Sequence, residues 1–222
     1  NSTFFNIEHN FSDNVMIKNT TRYTDYDKYY QNVYAGSSVS SSDTLTLKGY
    51  YDNTQRQNFF NQTDVTWNFE LGGLEHTLLT GLEVGTQDNR RYRLTADNQT
   101  VSIHNPVSTG WNFNTYARDK KTDIRYTSFY IQDQIKINDQ HQFVLGLRKD
   151  HYETDFNNVR DSLKFNIKDN MLSSRIGYIF KPNKNISYYV SYSNAYQPRN
   201  GDQLDGISND NVNQDPEKFV NY

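Results

Sequence analysis

The 222-residue sequence contains no cysteine, which excludes a disulfide framework and thiolate-held metals. It has no run of about 18 apolar residues, so no helical membrane span can be drawn. No charged-then-apolar signal segment opens it. Positive charge is not in excess: 23 Lys and Arg stand against 26 Asp and Glu, for a net charge of −3. The basic patch or stripe of a nucleic-acid binder is therefore missing, and no nucleic-acid partner is expected. Gly-x-Ser-x-Gly, P-loop, Gly-x-Gly-x-x-Gly and His-Glu-x-x-His signatures are also missing. His9, His76, His104, His141 and His151 show no ligand spacing, so no catalytic residue and no metal ligand is assigned. Apolar residues are scarce as well, at 34% with a mean hydropathy of −0.94, which is too polar for a packed soluble domain of this length.

Aromatic residues, in contrast, are plentiful. They make up 15% of the chain, with 18 Tyr and 13 Phe, and disordered chains are poor in them. The stretch Tyr126–Phe156 shows how they are used. Phe129, Ile131, Ile135 and Ile137 alternate with Tyr126, Ser128, Gln132, Gln134 and Lys136 up to a polar turn at Ile137–His141. Phe143, Leu145 and Leu147 then alternate with Gln142, Gly146, Arg148 and Asp150. Period-two alternation this long exceeds the usual strand of about 5–6 residues. A tilted strand crossing a bilayer needs about 9–11 residues, with one side in lipid and the other wet. The pattern predicts a transmembrane β-barrel.

The same alternation predicts strands over 3–11, 15–34, 45–71, 76–93, 126–137, 142–156, 171–180 and 186–195, with another starting at Glu217. The 45–71 strand blurs across Asn53–Gln57. Short turns fall near residues 12, 73, 139 and 183, the second of them carrying the Gly72-Gly73 pair that reaches positive φ at no steric cost. Long loops are expected near 38, 107, 162 and 206, including about 25 residues from Thr95 to Lys120. Strict alternation of short and long connections is the outer-membrane pattern of periplasmic turns and extracellular loops. The expected fold is all-β: an antiparallel up-and-down barrel segment of roughly eight strands and part of a ninth. Both ends fall inside strand patterns, so the chain is expected to be a piece of a larger protein.

Several blocks then resemble one family. They are Asn61-Gln-Thr-Asp-Val65, His76-Thr-Leu-Leu-Thr-Gly-Leu-Glu83, Thr127-Ser-Phe-Tyr-Ile-Gln-Asp-Gln134, Leu145-Gly-Leu-Arg-Lys-Asp150, Ser191-Tyr-Ser-Asn-Ala-Tyr-Gln-Pro198 and Pro216-Glu-Lys-Phe-Val-Asn-Tyr222. In this order and spacing they resemble TonB-dependent siderophore receptors of the catecholate and ferrichrome-type branch, the roughly 22-stranded outer-membrane transporters. Each block alone is weak, and the set covers most of the chain from about Val15. The resemblance implies a multi-pass protein of the Gram-negative outer membrane with a ferric siderophore as cargo and no resident cofactor. It implies partners in TonB, in a plug domain that fills the barrel, and in lipid and lipopolysaccharide. The plug, the TonB-engaging segment and the remaining strands lie outside this sequence. A passive small barrel, porin-like or adhesive, is the alternative; a soluble β-sandwich would need a dry core on both faces.

Candidate ligand contacts are Arg90, Arg91, Tyr92, Arg93, Trp111, Tyr116 and Arg118, where cations and rings could pair with and stack on an anionic, aromatic chelate. The bland reading places these rings in the headgroup girdle and the cations on lipopolysaccharide phosphates. Tyr196 and Arg199 open another loop at the mouth. Glu83, Arg148, Asp150 and Arg175 are predicted to face the lumen and plug, because a charge facing lipid costs roughly 2–4 kcal/mol at the midplane. Asp133 fits poorly, since alternation places it with Phe129 and Ile131 on the lipid face, so a bulge or an interfacial position is required. The Asp/Asn-rich Gly201–Gly206 and Asn209–Asn211 stretches do not meet the spacing of a calcium loop.

Overall fold

A computed structural model describes residues 1–199, 204 and 206–222. The strands are β1 (Ser2–Ser12), β2 (Val15–Ala35), β3 (Thr44–Leu71), β4 (Leu74–Thr95), β5 (Gln99–Ser102), β6 (Thr115–Lys136), β7 (His141–Asn158), β8 (Leu163–Asn183), β9 (Ile186–Gln197) and β10 (Glu217–Asn221). They form one antiparallel sheet in sequence order, with the short β5 set aside on β3 beyond the end of β4. This is the up-and-down meander expected. β1 and β10 are its two edges. Unpaired backbone is not tolerated in hydrocarbon, so an open sheet spans a membrane only as part of a closed barrel.

The turn end is built from residues that satisfy their own backbone. Gly72 and Gly73 adopt φ of 62° and 79°. The Asn138 side-chain oxygen accepts from the Gln140 and His141 amides at 2.9 and 3.0 Å. Asn183 does the same for Asn185 at 3.0 Å, and the Ser12 hydroxyl accepts from the Asn14 amide at 3.2 Å.

Register fixes two faces. In the half of the sheet nearest these turns, one face carries Val65 and Trp67 of β3, Leu78 and Leu82 of β4, Phe129 and Ile131 of β6, Leu145 and Leu147 of β7 and Ile176 of β8. Among the described residues nothing covers it: Phe129 is 54%, Leu147 52% and Ile176 54% exposed. An apolar face this broad on a folded sheet requires an apolar medium. It runs from the Phe69–His76–Ile135 row to the Asn61–Val84–Thr127 row, a span that fits a tilted crossing of the bilayer. Lys149 lies near its upper rim, opposite Phe129, where a lysine can snorkel to the headgroups. An aromatic girdle closes the turn end, with Trp67 4.4 Å from Phe69, Phe69 4.9 Å from His76 and Phe143 5.0 Å from Tyr178.

The opposite face is polar, and its glycines have a visible purpose. A Cβ on Gly81 would lie 2.3 Å from the Tyr130 ring, and one on Gly85 would lie 2.4 Å from that of Tyr126. Each tyrosine lies flat across its cross-strand glycine.

Asp133 is explained by position. Register is unbroken from Glu75 to Arg93, so there is no bulge there. Asp133 sits near the turn end of the apolar face, paired with His76 at 2.7 Å.

Three expectations need correction. The β4–β6 connection is not a 25-residue loop, because β5 forms inside it and β6 begins at Thr115. The 157–168 loop is mostly strand: β7 runs to Asn158 and β8 starts at Leu163, with Ser162 making the turn at φ 57°. Connection length therefore does not alternate strictly. β3, in contrast, is one uninterrupted strand of 28 residues. The reason is common to all three. Above the bilayer both faces meet water, so nothing enforces apolar alternation although the ladder continues.

Candidate functional site

At the level of the bilayer the polar face carries a connected network. Arg148 Nε donates to Asp150 at 2.8 Å and Nη1 to Glu83 at 3.2 Å. The Ser128 hydroxyl donates to Asp150 at 2.5 Å, and the Arg148 guanidinium lies 5.5 Å from the Tyr130 ring. Tyr130 donates to Asp64 and accepts from Gln62 at 2.8 Å. Glu83, Arg148 and Asp150 thus come together from β4 and β7 on the polar face. Arg175 shares that face, opposite Gly146, and lines a depression with Arg148, Gln132 and Ser193.

Toward the loop end the predicted ligand residues separate. Successive residues of Arg90–Arg93 point to opposite faces. Arg91 and Arg93 fall on the polar face, and Arg118 joins them directly opposite Arg93. Arg90 and Tyr92 fall on the other face. There Arg90 makes a two-bonded pair with Asp119 at 3.1 and 2.9 Å. Tyr92 belongs to a row of rings, Tyr29–Tyr51–Tyr92–Tyr116, spaced 5.8, 6.2 and 6.0 Å. Burial and the neighbouring Tyr51 hold the Tyr92 phenol above its ordinary range. Trp111 stacks with Phe113 over Gly49, whose added Cβ would meet the indole at 2.9 Å. Gly49 alternates with Tyr50, so Trp111 lies on the tyrosine-row side.

The central group is a carboxylate that sequence reading missed. Asp52 of β3 accepts from Arg93 Nε at 3.0 and 3.1 Å and from Arg118 Nη2 at 2.7 Å, and also pairs with Arg93 Nη2. Arg93 stands 4.3 Å over the Tyr50 ring, and Tyr30 and Tyr34 lie 5.9 and 6.0 Å from Tyr50. Burial would raise the Asp52 carboxyl, but the two guanidinium groups outweigh it and hold it below the usual range. The pair is therefore intact above the ordinary Asp value of about 3.9 and is lost only as pH falls through the lower folded value. Asp52 lies next to the blurred Asn53–Gln57 stretch. Carrying the period-two parity back from Phe60 would have found it.

Arg199 is committed to its own loop. It donates to the Asn211 and Val212 carbonyls at 3.1 and 2.7 Å and faces Asp169 at 3.7 Å. Leu204 packs with Phe156 and Ile167, and Ile207 and Val212 join them, so the β9–β10 connection folds onto the polar face of β7 and β8. Tyr196 stands opposite Lys218, 5.8 Å from its ammonium, on the face of Val190 and Tyr192. Residues 201–203 and 205 of the Gly201–Gly206 stretch lie outside the described residues.

On the non-lumen face above the band, Asp88, Asp123 and Asp155 lie directly opposite one another on β4, β6 and β7. Lost hydration, then the Asp88 and Asp155 charges, push the Asp123 carboxyl up, against Arg125 and Lys121. Because its folded value is raised, stability should increase as pH falls toward that value and decrease as pH rises through it. Asp123→Asn is expected to stabilise the barrel by about 0.5 kcal/mol at neutral pH, the scale of a cross-strand like-charge pair. It should also flatten the pH dependence of the denaturation midpoint on the acid side of neutrality, above the ordinary Asp value of about 3.9. An unchanged midpoint and profile would show that the three carboxylates do not repel.

Comparison with known proteins agrees with this geometry. Residues 1–222 match the family model described as TonB dependent receptor-like, beta-barrel. The Ferrioxamine B receptor of Salmonella typhimurium is 25% identical over 203 residues, covering 89% of this chain and 28% of that protein. The ferrichrome outer membrane transporter/phage receptor of Escherichia coli K12 is 25% identical over 231 residues, covering 91% and 30%. The crystal structure of the siderophore receptor PiuA from Acinetobacter baumannii superposes with a TM-score of 0.73 at 22% identity, covering 98% of this chain and 36% of that one. The chain spans about 30% of the length of these curated relatives. It belongs to the TonB-dependent receptor β-barrel family.

Proposed function

We propose that the protein containing this chain is an outer-membrane receptor that takes up a ferric siderophore, with the polar face of the sheet lining the lumen. The observation that carries this reading is the Arg93–Asp52–Arg118 group, with Tyr50 beneath it, on the lumen side of strands that rise beyond the lipid band. Relatives matching most of the chain are named as siderophore receptors. In this reading the extended strands and loops capture the chelate. TonB then acts on a plug within the barrel, and the Glu83–Arg148–Asp150 network meets that plug. Lipid covers the apolar band, and lipopolysaccharide covers the outward face above it. The chelate is cargo and is released unchanged.

Deleting the parent gene in its native host should reduce radio-iron uptake from ferric siderophores to the level of a strain lacking TonB, and restoring the gene should recover it. Undiminished uptake from every ferric siderophore tried would refute the proposal. A passive small barrel is disfavoured by the family match over the whole chain.

A further inference from the structure

A second aromatic belt stands on the outward wall, above the lipid. The upper girdle of the apolar band is marked by Tyr23 on β2 opposite Phe59 on β3, 44% and 40% exposed. From Val84, in the top row of the band, to Tyr92 the strand β4 gains on the order of 20 Å in height, at about 3.3 Å per residue and about 40° of tilt. The Tyr29–Tyr51–Tyr92–Tyr116 row is therefore too high to meet lipid headgroups. Its end members are 69% and 49% exposed, and rings set side by side at such a surface mark a place where something binds.

Asn53 lies directly opposite both Tyr29 and Tyr92. It is 4% exposed, and its Nδ2 donates to Asp27 at 2.6 Å and to the Tyr51 hydroxyl at 3.3 Å. Its amide oxygen has no hydrogen-bond partner among the described residues. A buried acceptor without a donor is costly, and a hydroxyl-bearing ligand seated between the rings brings one. Below the belt, Asp27, Gln55, Gln57, Asp88 and Arg90 border a depression of about 410 Å³. Gln55 Nε2 donates to Asp27 there at 3.3 Å. Charge does not favour an anion on this part of the wall. Across β2, β3, β4 and β6, Arg90 and Lys121 stand among Asp25, Asp27, Asp88, Asp119 and Asp123, and Arg90 is bonded to Asp119. A phosphate is repelled by such a field, whereas an uncharged molecule with apolar ring faces and many hydroxyls is not.

Resting on the outward-face reading above, and independently of the cargo, we infer that this wall holds a saccharide site whose occupant is the core oligosaccharide of lipopolysaccharide in the same leaflet. The tyrosine belt stacks on the C–H faces of pyranose rings, and Asp27, Gln55 and Gln57 take their hydroxyls. Position selects this source, because the sugars of an outer-leaflet lipid stand beside the wall just above the headgroups, where the belt is. A protein partner fits less well. The core of a protein interface is depleted of charge, whereas Asp27, Arg90 and Asp119 lie among these rings.

The test uses the full receptor in detergent, stripped of lipopolysaccharide and titrated with the native host's core oligosaccharide, cleaved from lipid A, with and without its phosphates. Binding is read by tyrosine and tryptophan fluorescence and by saturation-transfer NMR of the sugar. Tyr29→Ala with Tyr116→Ala should weaken it by at least about tenfold, while Tyr23→Ala with Phe59→Ala in the girdle should leave it within about twofold. Removing the phosphates or adding salt should change the affinity little, because no charge pair is being screened. Gln55→Leu removes one hydroxyl partner and spares the rings, so it should cost several-fold even where the double tyrosine variant does not fold. In cells, a photo-cross-linking residue at position 116 should give lipopolysaccharide adducts that disappear in a strain whose lipopolysaccharide lacks the outer core sugars. No binding of the free oligosaccharide, binding that the tyrosine pair does not alter, or binding that requires the phosphates would overturn the inference. A protein adduct in place of lipopolysaccharide would overturn it too and assign the belt to a protein partner. Each of these results leaves radio-iron uptake unaffected, so failure here and failure of the siderophore reading are told apart.

Discussion

Replacing Ile131 with arginine is expected to destabilise the barrel in a bilayer by about 2–4 kcal/mol, the cost of a lipid-facing cation near the midplane. The same change one residue later, at Gln132, should cost less than about 1 kcal/mol. Ile131 lies between Thr80 and Leu147 in the middle of the apolar face. Gln132 lies between Leu79 and Gly146 on the lumen face, where a Cβ added at Gly146 would make no contact closer than an ordinary 3.7 Å. The two positions share strand, depth and backbone hydrogen bonding, so the contrast isolates the medium that each side chain meets. Denaturant unfolding of the receptor in lipid vesicles measures both. Equal costs would show that the faces have been assigned the wrong way round or that the strand does not cross the bilayer.

Arg148→Met should be nearly as damaging, at about 2–3 kcal/mol. Breaking a fully buried ion pair costs about 3–5 kcal/mol because it strands the partner charge. Arg148 is 34% exposed, against 15% for Glu83 and 10% for Asp150, which places the expectation below that range. The loss arises less from the missing attraction than from two carboxylates left facing each other, with the Tyr130–Asp64 pair alongside. Adding Glu83→Gln to Arg148→Met should therefore restore part of the stability, and a double-mutant cycle reads that coupling directly. A loss for Arg148→Met within about 0.5 kcal/mol of zero would mean that the network is solvated and holds nothing.

These two experiments divide along the line between what could be read in the residues and what could not. Alternation alone places Phe129, Ile131, Ile135, Leu145 and Leu147 on one face and Gln132, Arg148 and Asp150 on the other; register agrees at every one. Lipid on one side and water on the other make every second residue answer to a different solvent, so the chemistry of the sequence reports the geometry. The turns were legible for a local reason. Gly72-Gly73, Asn138 and Asn183 carry their conformations in their own side chains or lack of one.

Past the lipid, that coupling ends. Arg90, Arg91, Tyr92 and Arg93 read as one cationic, aromatic cluster, yet the ladder sends Arg91 and Arg93 to the lumen and Arg90 and Tyr92 to the outside. Alternation reads 115–120, 157–158 and 163–168 as loop although they are strand, because water on both faces exerts no pattern. Asp52 meets Arg93 and Arg118 only through pairing between residues 41 and 66 positions apart, and the β9–β10 connection is held by the Leu204–Phe156–Ile167 contact across the lumen face. By itself, then, the sequence determined the all-β barrel class, the membrane-facing half of each strand and the turns, since local chemistry and an asymmetric solvent dictate these. Tertiary structure alone decided the strand extensions, the division of Arg90–Arg93 between the faces and the Asp52 group, because hydrogen-bonded register, blind to side-chain polarity, sets all three.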